Sequence, residues 1–158
     1  MSTYSILDIS ITADRFKLYT LMCNVGDLQD KIAFVNSQNV NVINIGKEIA
    51  AYLDELEDYS YLAIDVQDYL SKLFDKYKAK IDGSGNHVLA IYNLGILKEP
   101  VLKINAEKIL KEFSKSSALI LIWEHESKLP NILNWSTQEN LVFLDFSDTP
   151  LKKMQNAI

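Results

Sequence analysis

His87–Trp123 reads HVLAIYNLGILKEPVLKINAEKILKEFSKSSALILIW, and its two ends decide the fold. HVLAIY is almost wholly apolar, and ALILIW carries no polar side-chain group beyond the indole N–H. Between them, the apolar residues of Ala106–Phe113 fall at helical spacing. Two continuous apolar strands flanking an amphipathic helix are what a parallel sheet covered on both faces requires, because each strand must find apolar partners above and below.

Working outward, Phe16–Met22 predicts the first core strand, bounded by Asn24 and Gly26. A helix is expected from Asp27, with Leu28, Ile32 and Val35 facing in and Gln29, Asp30 and Asn36 facing out. Val40–Ile45 predicts a second strand. Ile49, Ala50, Leu53 and Leu56 then predict a helix from about Lys47. Leu62, Val66, Tyr69, Leu70, Leu73, Phe74 and Tyr77 predict another, with Asp58 and Ser60 as available N-caps, so that a helical insertion occupies about 47–81. Asp82–Asn86 is a turn. His125–Glu139 reads as a polar connector, Leu141–Phe146 as the last strand and Pro150–Ile158 as a short helix. Ser2–Ala13 is ambiguous; as a helix it would turn Ile6, Ile9 and Ala13 inward, with Ser2 or Thr3 as its cap. These expectations add up to one α/β domain over 1–158, a three-layer sandwich with a mostly parallel five-stranded sheet.

Composition excludes several classes of function. At 158 residues, with 48% hydrophobic and 23% charged side chains, the chain can bury a core of its own. The net charge of −5 gives no overall attraction to nucleic-acid phosphates or anionic lipid. A single cysteine, Cys23, excludes an internal disulfide and a Cys-rich zinc site, which suits a reducing cytoplasm. MSTYSILDIS lacks a basic region followed by an apolar core, and no apolar run reaches membrane-spanning length. A cytoplasmic protein is expected.

Ile91–Leu102, IYNLGILKEPVL, and its continuation through Lys103–Ala106 to Phe113–Lys115 carry a resemblance. The pattern resembles the small P-loop proteins (BrxF-like) of bacterial phage-exclusion, or BREX, gene clusters. In that family the third strand ends in a Walker-B-type aspartate, followed by an N-I-E-I-L-F-D-P-E-L run, a helix, an S-R pair and an apolar strand ending in Trp. Asn93, Ile96, Leu97, Pro100 and Leu102 fit the run; Ser114, Lys115 and Trp123 fit the end. The resemblance implies a P-loop NTPase-like fold. It also implies a place in a multi-subunit phage-defence assembly with DNA-modifying and ATPase partners.

The chain departs from that family at the nucleotide site. Tyr92 stands where the Walker-B aspartate belongs, and Gly95 where the next glutamate belongs. A phosphate loop needs G-x-x-x-x-G-K-[ST], so that backbone N–H groups close round the phosphates, Lys reaches the β- and γ-phosphates and the hydroxyl ligates Mg²⁺. The corresponding residues here are Cys23–Asp30, CNVGDLQD. Gly26 survives inside the loop, but Leu28 replaces the second glycine, Gln29 the lysine and Asp30 the hydroxyl residue. Asp27 and Asp30 would meet a triphosphate at a helix N-terminus. Two like charges ~5 Å apart repel by roughly 1 kcal/mol in water and by several at an effective dielectric near 20. Shifting register to recruit Lys31 restores a cation without the glycines.

Other residue patterns invite weighing. Lys108, Lys111 and Lys115 share one helix face, with Lys103 nearby. They are either a partner or nucleic-acid contact or a solvated face relieved by Glu107 and Glu112. Lys115 is the one that fits the family's Arg. His125, between Glu124 and Glu126, lies past a carboxyl strand end where ligands bind in open α/β sheets, yet His87 begins the preceding strand at the far edge, and a solvated loop is the simpler reading. Cys23 lies next to a helix N-terminus and lacks a basic partner, which reads as structural. Tyr52, Tyr59, Tyr61, Tyr69 and Tyr77 read as core or rim, and any left exposed would suit protein binding. Trp135, in the connector, needs somewhere to pack. No Gly-x-Ser-x-Gly elbow is present.

The expectation is a non-catalytic, P-loop-like adaptor or interaction subunit of a bacterial assembly, with no catalytic residue, metal or cofactor. Two rivals stand beside it: an atypical ATP-binding protein using Lys31 with Mg²⁺, and a small DNA-contacting module using the Lys103–Lys115 surface.

Overall fold

The structure is a computed structural model and describes residues 3–155 apart from 125, 129 and 137–140. Each apolar stretch of the central unit takes the predicted form. His87–Tyr92 is β5, Ala106–Ser116 is α5 and Ala118–Trp123 is β6. β5 and β6 pair in parallel, with Leu89 opposite Leu119 and Ile91 opposite Leu121. Earlier in the chain lie β1 (Thr3–Tyr4), α1 (Ile6–Ile11), β2 (Leu18–Met22), α2 (Leu28–Ser37), β3 (Val42–Asn44), α3 (Ile45–Glu55), α4 (Leu62–Tyr77) and β4 (Ala79–Lys80). Two 3₁₀ turns, Gly95–Lys98 and Pro100–Leu102, join β5 to α5. After β6 come β7 (Glu126–Lys128), β8 (Ile132–Ser136), β9 (Leu141–Asp145) and β10 (Lys152–Met154).

The main sheet has seven strands. Six run parallel in the order β1–β10–β2–β6–β5–β3, and β4 pairs antiparallel with the start of β5. Strand alternation sorts its side chains between two cores. Leu18, Leu89, Ile91, Leu119, Leu121 and Trp123 pack against α3, α4 and α5 on one face. Tyr19, Leu21, Val88, Ala90, Ala118, Ile120 and Ile122 pack against α1 and α2 on the other. All six residues of β6 are buried, as a central strand between two helical layers demands. The architecture is therefore α/β, with helices on both faces of a mostly parallel sheet. No helix among the described residues is long and apolar enough to cross a membrane.

The edges differ from the sequence expectation. The sheet gains strands beyond five, and one of them lies in the tail predicted to be helical: β10 enters the sheet beside β2. Leu141–Asp145 is a strand, but not of this sheet. With β7 and β8 it forms a separate antiparallel sheet, so the connector predicted to be irregular is half strand. Leu133, Leu144 and Phe146 of that region seal the α3–α5 core. Local pattern misled in the connector, because β8 buries Leu133 and Asn134 side by side and so lacks the alternation that marks a strand. Two caps also fall elsewhere. Ser5 caps α1 in a reciprocal box with Asp8. Asp58 and Ser60 bond each other, Asp58 Oδ1 accepting from Ser60 N at 2.9 Å and Oγ at 2.6 Å, and α4 starts after Tyr61 without a side-chain cap.

Candidate functional site

The chain leaves β2 toward the α2 face and leaves β5 and β6 toward the opposite one. Such divergence opens a crevice at the carboxyl edge of a parallel sheet, where ligands of α/β proteins bind. Here the crevice is a cleft of about 330 Å³ lined by Leu28, Tyr92, Asn93, Leu94, Gly95, Ile122, Trp123, Glu124 and Trp135. Tyr92 and Asn93 end β5; Ile122, Trp123 and Glu124 end β6; Leu28 opens α2. Trp135, expected in a loop, projects from β8 and packs edge-on against Trp123, with ring centroids 5.5 Å apart and planes at 61°. The two indoles stand twelve residues apart on strands of different sheets, and no local periodicity predicts their contact.

Of the residues set against a phosphate loop, Gly26 lies in the turn after β2, whereas Gln29, Asp30 and Lys31 lie at the start of α2. Asp27 N–H donates to the Asn24 carbonyl at 3.0 Å, closing a turn in which Gly26 sits at φ +96°. Gly26, Gln29 and Asp30 are exposed, while Lys31 is buried in α2, only 3% accessible. Leu28 supplies the contribution of α2 to the cleft. Asp27 makes no side-chain cap. Cys23 is half-buried and its thiol donates to the Trp123 carbonyl at 3.6 Å. Burial pushes this thiol above its ordinary range and the Glu124 charge adds to the effect, so it stays protonated and unreactive at neutral pH.

Tyr92 and Asn93 do different work. Tyr92 pairs in register with Asn44 of β3 and lines the cleft. Asn93 takes the left-handed conformation, φ +59°, and its side chain turns back along the sheet edge. Its Nδ2 donates to Asn44 Oδ1 at 2.8 Å, and its carbonyl accepts from Gly46 N at 3.0 Å. Asn44 Oδ1 also accepts from Lys47 N at 3.1 Å and so caps α3. The end of β5 is thus clamped to the start of α3. An alanine Cβ at Gly46 would overlap the Asn93 amide, lying 2.8 Å from its Cγ. Gly46→Ala is expected to destabilise the fold by about 1–2 kcal/mol, the loss of the displaced hydrogen bonds. In an Asn93→Gly background the same change becomes neutral or stabilising, because alanine favours a helix over glycine. A double-mutant cycle by urea unfolding measures this coupling. Sequence reading missed the clamp; its one local signal is Asn44 three residues before Lys47, an N-cap spacing.

The lysine face of α5 is largely engaged. Lys111 Nζ pairs with Asp148 Oδ2 at 3.0 Å and lies 5.0 Å from the Phe16 ring centroid. Lys115 Nζ pairs with Glu112 at 3.0 Å and lies 5.8 Å from the same centroid. Lys17 Nζ donates to the Lys115 carbonyl at 2.9 Å, placing a cation at the C-terminal end of α5, where the helix dipole favours one. Lys108 and Lys103 are exposed. His125 lies outside the described residues. Among the described residues, no group of three or more His, Cys, Asp or Glu side chains is arranged to hold a metal ion.

No known protein family, curated protein or solved structure matches this chain.

Proposed function

We propose that this chain is a P-loop-like α/β protein without nucleotide chemistry that works as an interaction or adaptor subunit of a larger bacterial assembly. Its resemblance to BrxF-like proteins makes phage defence the setting. The placement of the loop after β2 and the end of β5 on either side of the β6 terminus supports the P-loop-like part. A phosphate loop and a Walker-B-type side chain must converge in this way on one ligand.

The observation that carries the non-catalytic part is the lining of the cleft. Leu28, Ile122, Tyr92, Trp123 and Trp135 present apolar and aromatic surface, and Glu124 is the only charged side chain among the lining residues. A nucleoside triphosphate with Mg²⁺ needs glycine amides, a reaching lysine and a metal-binding hydroxyl or carboxylate. The groups facing this cleft do not suit it: a phosphate would lose its hydration against indole rings and meet a carboxylate. Lys31, the cation that the ATP-binding rival needs, is packed into α2. The DNA-contacting rival is weakened by the pairing of Lys111 with Asp148 and of Lys115 with Glu112.

Isothermal titration with ATP and Mg²⁺ tests the reading. No binding heat is expected. Tryptophan emission should also stay unchanged, and it reports on this cleft alone because both tryptophans of the chain line it. Micromolar, Mg²⁺-dependent binding with a change in emission would overturn the proposal in favour of a working nucleotide site.

A further inference from the structure

Resting on the interaction reading above, we infer that the corner between α3 and α4 is a docking surface for a basic, apolar-anchored segment of a partner protein. Four large side chains stand out from this corner: Tyr59 is 58% exposed, Tyr61 68%, Ile64 60% and Val101 66%. They line one groove of about 440 Å³, with Lys103 at its wall. Exposed apolar side chains are common singly; four sharing one groove mark a contact site, and tyrosine is a favoured anchor in such sites.

The surface is held ready. Tyr59 Oη donates to the Leu53 carbonyl at 2.8 Å, which fixes its ring. The Asp58–Ser60 bonds hold the turn from which Tyr59 and Tyr61 project. Beneath it, Tyr52 and Tyr69 stack with centroids 4.2 Å apart and bond to the Asp65 carbonyl and to Glu48 Oε2, anchoring α3 to α4. Little conformational freedom therefore remains to be lost on docking.

Charge selects the occupant. Residues 54–68, DELEDYSYLAIDVQD, contain six carboxylates and no lysine or arginine. Ser60 holds the Asp58 carboxyl below its ordinary range, so it remains charged under all ordinary conditions. The one charge in the lining is Lys103, but the helical flank beside it is acidic: Asp58 bonds to Ser60 of the lining and Asp68 follows Ile64 by one turn of α4. This flank complements a segment that carries apolar anchors between lysines or arginines. A second copy of this chain would bring the same carboxylates face to face across a two-fold axis. An anionic lipid surface would be repelled.

A fluorescently labelled synthetic peptide with leucines on one helical face and lysines on the other serves as the probe, read by anisotropy at low and high salt. Binding is expected to weaken with salt. The pair Tyr61→Ser with Ile64→Ser leaves the charge unchanged and should weaken it about tenfold, a loss of about 1.4 kcal/mol. Leu7→Ser, at an exposed site on α1, should leave it unaltered. Should the pair fail to fold, Val101→Ser on the opposite wall reads the same groove. Equal binding by all variants, equal binding of a leucine–glutamate peptide, or a self-association abolished by the same substitutions would each overturn the inference. None of these results depends on nucleotide, so the calorimetric test above stands or falls separately.

Discussion

Replacing Leu121 by alanine is expected to destabilise the protein by about 2–5 kcal/mol, the range for deleting a fully enclosed leucine side chain. Leu121 is 0% exposed. It lies in β6, which has β5 on one side and β2 on the other, opposite Ile91 and Thr20. Its side chain belongs to the core shared with α3, α4 and α5. Collapse around the cavity is restricted because both neighbouring strands are fixed by their own ladders. The lower end of the range would require those helices to close in; the upper end is expected if they hold their places. Urea unfolding followed by circular dichroism measures the midpoint shift, with the slope expected to remain unchanged. A loss below about 1 kcal/mol would mean that β6 is not the enclosed central strand.

Gly85→Ala is the second large effect, about 2–4 kcal/mol, and its source is different. Gly85 sits at φ +78° in the turn before β5, and a Cβ there would overlap the Ser10 carbonyl oxygen at the end of α1. That carbonyl accepts from Asn86 N at 2.7 Å, while Asn86 Nδ2 donates to the Ile9 carbonyl at 3.1 Å and to the Thr12 carbonyl at 2.9 Å. The turn thus satisfies carbonyls that the C-terminus of a helix leaves unpaired. An alanine would carry the left-handed cost of roughly 1–2 kcal/mol. It would also push Asn86 off these acceptors, each lost bond costing about 1 kcal/mol. Gly83, φ +84° with nothing within 4 Å of an added Cβ, provides the control. Its alanine variant should show only the backbone cost, and the difference between the two isolates the docking of the turn on α1. Equal losses at the two positions would remove that contact from the account.

How much was legible follows from the range of the forces involved. β5, α5 and β6 could be read directly, because a strand buried on both faces must be apolar along its length and an amphipathic helix must repeat at its own period. The helices of 47–81 were legible for the same reason. The region after Trp123 was not. β8 keeps Leu133 and Asn134 buried and half-buries Trp135 among polar residues, a pattern that makes sense only once β7 and β9 lie beside it. β10 is a three-residue strand, stabilised by its ladder with β2 and β1, and so short a segment carries no period.

At the site, residue types alone showed that Gln29 and Asp30 lack the cation and the hydroxyl of a phosphate loop, Gly26 being the glycine that survives. Where Lys31 went was a matter of helix phase and packing, and the α2 face that buries Val35 also takes in its side chain. Asn93 stood in the sequence as a fragment of a Walker-B pattern; the fold makes it a clamp on Asn44 and Gly46.

The sequence by itself determined that this protein is α/β, that its central strands are enclosed on both sides and that Leu28, Gln29 and Asp30 stand where a phosphate loop carries glycine, lysine and a hydroxyl residue. These follow from side-chain chemistry and short-range periodicity. Only the tertiary structure decided which strands became neighbours, that Trp123 and Trp135 meet over the cleft, and that Tyr59, Tyr61, Ile64 and Val101 share one exposed groove. Such outcomes depend on contacts between segments distant in the chain, whose free energies exist only when the whole core closes.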